Sequence, residues 1–366
     1  MTAPVLVLGG GVTGMHVATA LAQLGHPALV LEKSERLGGQ ASRLSRTFPF
    51  FDHDGFDDGK DFTDEMETDM RAHHDIEVRT STTLVGTEGD FPHFRARLSD
   101  GTAEPVSAIV IATGFDPYDP TDLEEYGYGR YTNVVTAPEL EWILNPRGPS
   151  QGEPRRPSDG RLVDRLAIVF CVGSRNRRIG APFCSRICCS YSTKQALTVH
   201  ERNPGASITC FYMDVRTYDR GFEEMYSLAQ EKGIRYVRGR VSGCKELPGG
   251  DIIVRAENTL LQKIFSAPFD MVSLSTGMRP CADLTGLAAI LDMRLAPDGF
   301  LASREWFRFP HDSTRQGVFV AGCASGVKPI RNCIIDAGAV ASRVAAVLRS
   351  ERGRRRSGPP SPAAEG

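Results

Sequence analysis

The chain has 366 residues, of which 41% are apolar and 24% charged, and 43 Lys and Arg against 45 Asp and Glu give a formal net charge of −2. This composition is typical of a soluble globular protein of two or three domains and excludes nucleic-acid binding by a basic excess. The sequence has neither a membrane-spanning apolar run nor a basic region before a long apolar stretch, so we expect a cytoplasmic protein. The nine cysteines are an odd number in a long chain, which argues against a secreted disulfide framework.

The first forty residues have the pattern of a βαβ unit. A short apolar run, Val5–Leu8, is followed at once by a G-x-G-x-x-G turn, a helical pattern and a second apolar run, Ala28–Leu31, which is closed by Glu32. The glycines allow a tight turn, close approach to a pyrophosphate and close helix packing, and a carboxylate at the second strand end accepts ribose hydrogen bonds. A glycine-rich turn without a ligand is the alternative. We expect a dinucleotide to contact Gly9, Gly11, Val12, Thr13, Gly14 and Glu32.

Three later segments indicate which dinucleotide binds. A second glycine pair follows Glu32, an apolar strand ends in Ala-Thr-Gly, and another near the C-terminus ends in Ala-Gly-Cys. In this order the motifs resemble the two-dinucleotide-binding-domain flavoproteins of the thioredoxin reductase and glutathione reductase group. The resemblance implies an α/β fold with two Rossmann-like domains and FAD contacts at Lys33, Gly38, Gly39, Gln40, Val85, Ala112, Thr113, Gly114, Gly322 and Cys323. Most of that group have Asp at the last position; a thiol accepts hydrogen bonds poorly, so either the backbone N–H of Cys323 replaces that function or the residue has another task.

A Pro- and Gly-rich stretch at residues 145–159 predicts a domain boundary. We predict a discontinuous FAD-binding domain over 1–150 plus 265–348, an NAD(P)H-domain-like region over 160–264, and a disordered basic tail over 349–366. In the middle region only Gly173 follows the first strand where a second G-x-G-x-x-G would be needed. Nicotinamide binding at the usual place is therefore not expected.

The middle region contains a dense group of cysteines. Four thiolates can ligate a [4Fe-4S] cluster, and intervening arginines would offset its charge. The alternatives are buried free thiols, a zinc site, and a redox disulfide in the C-x4-C spacing of the glutathione reductase dithiol. The four cysteines, spaced C-x12-C-x3-C-C, are Cys171, Cys184, Cys188 and Cys189, and the arginines are Arg175, Arg177, Arg178 and Arg186. The other thiols, Cys210, Cys244, Cys281 and Cys333, are predicted to be single buried residues.

Four segments carry a closer resemblance. They read FCVGSR from residue 170, FCSRICCSYSTKQA from 183, FYMDVR from 211 and FVAGCASG from 319. Over residues 5–348 the chain resembles the flavoprotein A subunits of heterodisulfide reductases. The resemblance implies FAD, a [4Fe-4S] cluster on the four cysteines, a homodimer, and electron transfer to partner subunits. It also places Lys194 near the flavin as a catalytic cation that stabilises the reduced, anionic form, the alternative being a solvated surface lysine.

Two departures distinguish the chain from the methanogen form of this family. It has no ferredoxin-type C-x2-C-x2-C-x3-C-P run, and residues 50–54 read FFDHD where that form has cysteines. It is similar to the short form found in heterodisulfide-reductase-like complexes of sulfur-oxidising bacteria, which act with lipoate-binding proteins. We therefore expect a flavin-dependent oxidoreductase that works within a larger complex of cytoplasmic sulfur or thiol oxidation. The alternatives are a stand-alone NAD(P)H-dependent disulfide oxidoreductase using Cys184 and Cys189, and an assembly scaffold whose cysteines hold zinc.

Overall fold

The computed structural model describes residues 3–47 and 62–356, and the secondary structure below is that of these residues. The strands are β1 Val5–Leu8, β2 Ala28–Leu31, β3 Ile76–Arg79, β4 Leu84–Glu88, β5 Phe94–Leu98, β6 Ala103–Val106, β7 Ala108–Ile111, β8 Phe115–Pro117, β9 Val134–Thr136, β10 Arg165–Val172, β11 Ser207–Tyr212, β12 Arg235–Arg238, β13 Val241–Glu246, β14 Ile252–Asn258, β15 Lys263–Phe269, β16 Met271–Thr276, β17 Met278–Pro280, β18 Ser303–Glu305, β19 Phe309–Ser313 and β20 Val318–Val320. The α-helices are α1 Val12–Gln23, α2 Phe62–Arg71, α3 Ala137–Leu144, α4 Cys188–Arg202, α5 Phe222–Glu231, α6 Leu284–Ile290 and α7 Ile330–Arg356.

The chain forms two compact units. Of the described residues, the first unit contains 3–41, 63–115 and 280–356, and the second unit contains 42–47, 62 and 116–279. These boundaries differ from the predicted FAD-binding domain over 1–150 plus 265–348, because residues 42–47, 116–150 and 265–279 belong to the second unit. The physical reason is strand pairing: β9 joins β16 in parallel, which draws the segment around β9 into the second sheet. The linking segments β8 and β17 pair in a two-stranded sheet.

The first unit is built around a seven-stranded sheet in the order β18-β19-β20-β7-β1-β2-β3. Its five strands from β20 to β3 are parallel, and β1 lies between β7 and β2. Helices α1 and α7 cover one face through side chains such as Met15 and Val340, and α6 with the sheet β4–β6 covers the other. Burial of both faces explains why β1, β2 and β7 are uninterrupted aliphatic runs.

The second unit contains a five-stranded parallel sheet in the order β12-β11-β10-β16-β9. Helices α3, α4 and α5 pack on one face through residues such as Leu140, Val199 and Met225. The antiparallel sheet β13-β14-β15 packs on the other face. Strand β10 is the central strand, and α4 is the next α-helix along the chain. The carboxyl end of β10 and the N-terminus of α4 therefore lie at the same edge of the sheet.

The predicted α/β fold class is confirmed, and β1 and β2 have the predicted bounds. The prediction of a disordered tail over 349–366 is wrong for its first part, because α7 continues to Arg356. Arg, Ser and Glu at 349–352 are compatible with a helix, whereas the Pro-rich residues begin only at 359; residues 357–366 lie outside the described part. Among the described residues, no helix combines the length and apolarity required to cross a bilayer.

Candidate functional site

The glycine turn of the first unit is held by close backbone packing. Gly9 has a φ of +106°, and a Cβ there would lie 2.5 Å from the carbonyl oxygen of Ala112. A Cβ on Gly14 would collide with the carbonyl oxygen of Gly9, so α1 starts directly against the end of β1. In the described structure no side chain caps α1 at Gly11, and its first turn contains no acidic residue. The N-terminus of α1, with Val12 and Thr13, thus retains N–H groups and a positive dipole end for an anion.

The second glycine pair lies beside the first turn. The N–H of Gly38 donates to the carbonyl oxygen of Gly10 at 2.9 Å, and Gly11 and Gly38 form an isolated parallel bridge. A Cβ on Gly11 would meet the Cα of Gly39 at 3.9 Å. Gln40 follows in a short 3-10 helix. Two segments predicted to contact FAD are therefore neighbours.

Glu32 fixes the same turn. Its Oε2 accepts a hydrogen bond from the Gly10 N–H at 2.7 Å, and its Oε1 accepts from the N–H and hydroxyl of Ser34 at 2.9 and 2.5 Å. The side chain is buried. A carboxylate has about four acceptor positions, so this arrangement leaves capacity for a ribose hydroxyl. The ribose contact stays a prediction.

The end of β20 contacts the start of α1. Gly322 has a φ of +60°, and a Cβ there would collide with the side chain of Thr13. At the end of β7, the Thr113 hydroxyl is buried and lacks a hydrogen-bond partner among the described residues, and Gly114 follows with a φ of +77°. A dinucleotide bound here would supply such a partner. The four motifs therefore surround the N-terminus of α1.

Two predicted FAD contacts stand apart from this packing. Val85 lies on β4 with half of its surface exposed. Lys33 is exposed and forms an ion pair with Asp283 at 2.6 Å. Neither observation bears on FAD binding, so the FAD contacts of Val85 and Lys33 stay predictions.

The cysteine centre lies in the second unit, where β10 ends and α4 begins. Cys171 has a φ of +61°, at an irregularity in the pairing of β10 with β16, and Cys188 and Cys189 are the first two residues of α4. All three thiols are buried, and Cys188 is hydrogen-bonded to both of the others. A left-handed non-glycine residue costs about 1–3 kcal/mol and is concentrated at functional sites. The structure thus brings three of the four predicted ligands together.

The electrostatic surroundings favour thiolates at two of these positions. Hydrogen bonds from Cys188 and from Arg175 lower the pKa of the Cys171 thiol to about 7 despite its burial. The pKa of Cys189 is lowered by Cys188 and by the backbone N–H and charge of Arg216. The pKa of Cys188 is raised well above its ordinary value, because its thiol is hydrogen-bonded to Cys171 and Cys189 and is buried. Deprotonated cysteines are the form that ligates metals.

Cys184 and the predicted arginines are placed differently. Cys184 is half-buried, and its Sγ accepts a hydrogen bond from the Arg186 N–H at 3.3 Å. Of the arginines predicted to offset the cluster charge, Arg175 contacts Cys171, whereas Arg177 and Arg178 are exposed. All nine cysteines are free thiols, and in residues 3–47 and 62–356 no set of three or more His, Cys, Asp or Glu is arranged to hold a metal ion.

The turn after β10 is covered by an aromatic ring. Gly173 has a φ of +77°, and a Cβ there would collide with the ring of Tyr118. The Arg279 guanidinium lies 4.8 Å from the centre of the same ring. A dinucleotide pyrophosphate requires open space over the glycine turn. This packing favours the expectation that nicotinamide does not bind here in the usual way.

Lys194 lies on α4, and the surface-lysine alternative is wrong, because only 2% of its side chain is exposed. Its Nζ lies 2.7 Å from Glu141 Oε1 and donates to the Arg46 carbonyl oxygen at 2.7 Å. Glu141 Oε1 also accepts from Gln195 Nε2 at 2.9 Å, and Oε2 accepts from the N–H and hydroxyl of Ser45 at 2.9 Å. Lys194 is therefore one member of a buried polar network.

The sequence prediction missed several members of these two sites. Glu141 has a recognisable signal, since it is an acid between Leu140 and Ile143, both buried on α3. Arg216 is the last residue of the FYMDVR segment, but that segment does not indicate that folding brings Arg216 to Cys189. Cys333, predicted to be a single thiol, lies 3.6 Å from Cys323; that prediction is wrong.

Comparisons with known proteins agree with the fold and the motifs. Residues 1–130 match the pyridine nucleotide-disulphide oxidoreductase family. The A subunit of the H(2):CoB-CoM heterodisulfide,ferredoxin reductase of Methanothermobacter marburgensis is 31% identical over 93% of this chain and 63% of its own length. The iron-sulfur A subunit of the CoB-CoM heterodisulfide reductase of Methanocaldococcus jannaschii is 32% identical over 93% of this chain and 63% of its own. The chain thus spans about 63% of the length of these relatives.

The thioredoxin reductase of Lactococcus lactis has the same fold. Its structure superposes with a TM-score of 0.65 over 95% of this chain and 100% of that one, at 17% identity. Identity this low supports the architecture alone. Together with the family match over residues 1–130 and the relatives above, it supports a flavin-dependent oxidoreductase with FAD as cofactor.

Proposed function

Because the chain belongs to the family of heterodisulfide reductase A subunits, we propose that it is an electron-transfer protein containing FAD and one [4Fe-4S] cluster. The observation that carries the proposal is the group of three thiols at the end of β10 and the start of α4. In the reductases that the sequence resembles, the corresponding domain binds a nicotinamide dinucleotide, and here the thiols lie at or after the end of its first strand, where a second G-x-G-x-x-G turn would be needed. An electron carrier in place of that dinucleotide changes the function from a self-sufficient reductase to a component that exchanges electrons with partners.

FAD would be held by the first unit. The N-terminus of α1, the glycine pair Gly38-Gly39 and the ends of β7 and β20 fit a dinucleotide. A Cβ on Gly9, Gly14 or Gly322 would collide with its neighbours, which keeps side chains out of this turn, and the Gly38 N–H holds the second pair beside it. The unpartnered hydroxyl of Thr113 fits a polar ligand. When bound, FAD supplies two-electron chemistry that can also proceed in one-electron steps.

The cluster would be held by Cys171, Cys184, Cys188 and Cys189. Thiols with lowered pKa values, the positive end of α4, and the charges of Arg175 and Arg216 fit an anionic thiolate-ligated group. Ligation by Cys184 requires its Sγ to leave the Arg186 N–H and join the other three. When bound, the cluster accepts and donates single electrons.

The physiological context is also a proposal. The relatives are named as A subunits of heterodisulfide reductases, so we expect this chain to act with further subunits. Following the resemblance to the short form, we propose cytoplasmic sulfur or thiol oxidation, a homodimer, and a lipoate-binding protein as a partner. Anaerobic pull-down with a lipoate-binding protein tests the last of these, and failure of the two proteins to associate would exclude it.

Metal and sulfide analysis tests the proposed cofactor content. Protein purified anaerobically is expected to contain iron and acid-labile sulfide in equal amounts, together with flavin. Cys188→Ser is expected to lose iron and sulfide but keep flavin, whereas the control Cys210→Ser, at a buried thiol of β11, keeps all three. Zinc without sulfide would overturn the cluster and favour the scaffold.

Anaerobic mixing with NADH or NADPH tests the rival reductase. Rapid bleaching of the flavin without any partner protein would favour a stand-alone disulfide oxidoreductase using Cys184 and Cys189. Since the Tyr118 ring covers Gly173, we expect the flavin to stay oxidised.

A further inference from the structure

Two cysteines of the first unit form a buried pair. Cys323 follows Gly322 after β20, and Cys333 lies in the first turn of α7. Their Sγ atoms are 3.6 Å apart, and each residue is 6% exposed. A disulfide has an S–S length of about 2.0 Å, so closure requires the two sulfur atoms to approach by roughly 1.5 Å. The cysteine centre of the second unit contains neither residue.

The pair lies among residues that we expect to hold FAD. The Thr13 hydroxyl donates a hydrogen bond to Cys333, and the same side chain is packed against Gly322. Cys323 Sγ lies 3.5 Å from the carbonyl oxygen of Lys328. The loop between the cysteines is therefore part of the same packing as the N-terminus of α1.

The two thiols are electrostatically unequal. The hydrogen bond from Cys323, the Thr13 hydroxyl and the charge of Lys328 lower the pKa of Cys333, although burial opposes this. The pKa of Cys323 is raised, because it donates to Cys333 and is buried. A lowered pKa favours the thiolate, which is the form of cysteine that takes part in disulfide formation and exchange. By contrast, burial raises the pKa of the isolated Cys244 thiol to about 12.

We propose that Cys323 and Cys333 are a redox-active dithiol that closes to a disulfide and exchanges two electrons with FAD bound in the same unit. Two S–H bonds break and one S–S bond forms; the electron pair and the two protons reduce oxidised FAD, and the reverse reaction opens the disulfide. Burial of both sulfur atoms disfavours direct attack by a bulky external disulfide. The inference goes beyond the proposed function, because neither the cluster nor partner subunits are needed for this exchange.

Thiol trapping tests whether the disulfide forms. Full-length flavin-loaded protein is poised anaerobically in redox mixtures whose small mediators exchange electrons with the flavin, then denatured in N-ethylmaleimide and analysed by peptide mass spectrometry. A peptide linking Cys323 to Cys333 is expected to accumulate as the mixture becomes oxidising, while Cys244 stays a thiol. Free thiols at both positions throughout, or a disulfide to another cysteine, would overturn the proposal.

Electron counting tests the exchange with flavin. Oxidised wild type should take up two more electrons per chain from dithionite than Cys333→Ser, and Cys323→Ser should behave like Cys333→Ser. Wild type should also keep more oxidised flavin at a given number of electrons added, because the disulfide takes part of them. The control Cys210→Ser should match wild type. Equal uptake or equal bleaching curves in wild type and Cys333→Ser would refute the exchange.

Discussion

The buried ion pair of the second unit gives the sharpest prediction on stability. Lys194 Nζ and Glu141 Oε1 are 2.7 Å apart, and the two side chains are 2% and 5% exposed. Replacing Glu141 with Gln keeps the size of the side chain and one acceptor oxygen for the N–H and hydroxyl of Ser45, but it removes the negative charge and the acceptor of Gln195 Nε2. Lys194 is then left buried and charged without its counterion.

The magnitude follows from the distance and the burial. At an effective dielectric constant of about 20, two unit charges at this separation attract by roughly 6 kcal/mol, and desolvation of both ions offsets much of this. Removing one partner of a buried pair costs about 3–5 kcal/mol, because the other charge stays buried. An exposed pair is worth about 0–1 kcal/mol, and Arg308 with Glu305, 75% and 40% exposed, is such a pair.

Urea unfolding followed by circular dichroism, under anaerobic conditions, measures the difference. We expect Glu141→Gln to lower the free energy of unfolding by about 3–5 kcal/mol and Arg308→Met by no more than about 1 kcal/mol. The double variant Glu141→Gln with Lys194→Met should recover part of the loss, since no buried charge stays unpaired. Equal losses for Glu141→Gln and Arg308→Met would refute the reasoning.

Three further predictions concern other parts of the chain. Gly14→Ala is expected to reduce bound flavin per chain strongly, because the added Cβ meets a backbone carbonyl oxygen. The control Gly338→Ala, where a Cβ meets nothing within 4 Å, should keep its flavin. Equal flavin contents in the two variants would contradict the proposed FAD site at the N-terminus of α1. The pKa of His26 is lowered by burial and by two arginines of α7. As pH falls below about 6.5, His26 therefore takes up a proton in the unfolded chain before it does so in the folded protein, and stability falls. His26→Gln should lose less stability between neutral and acidic pH in urea titrations, and a pH dependence equal to that of wild type would exclude the effect. Lys194→Met is expected to lower the flavin reduction potential, as the resemblance implies; an unchanged potential in spectroelectrochemistry would remove Lys194 from the flavin site.

The βαβ segment of the first unit could be predicted from the sequence because the residues that determine it lie close together in the chain. Val5–Leu8, the three glycines and Ala28–Leu31 occupy one continuous stretch, and backbone packing within it or against one neighbouring strand requires glycine at Gly9 and Gly14. Such patterns specify both the fold and the place of the ligand. The domain boundary was less accurate, since the pairing of β9 with β16 joins segments that are far apart in the chain.

The cysteine centre and the thiol pair depend on contacts between distant residues. The spacing of Cys171, Cys188 and Cys189 indicated a shared site, but the pKa differences among them come from contacts that include Arg216, far from them in sequence. Cys323 and Cys333 are ten residues apart, and this spacing differs from the C-x4-C of the glutathione reductase dithiol. The network around Lys194 was equally hidden, because Ser45 and Glu141 belong to separate segments.

Low-temperature EPR of the dithionite-reduced protein tests the central claim most directly. A reduced [4Fe-4S] cluster is paramagnetic, whereas zinc and free thiols are silent. We expect wild type and Cys210→Ser to give the cluster signal with equal intensity per chain, and Cys188→Ser to lose it while keeping flavin. A silent spectrum in wild-type protein that carries flavin, or an undiminished signal in Cys188→Ser, would contradict the assignment of the cluster to this centre.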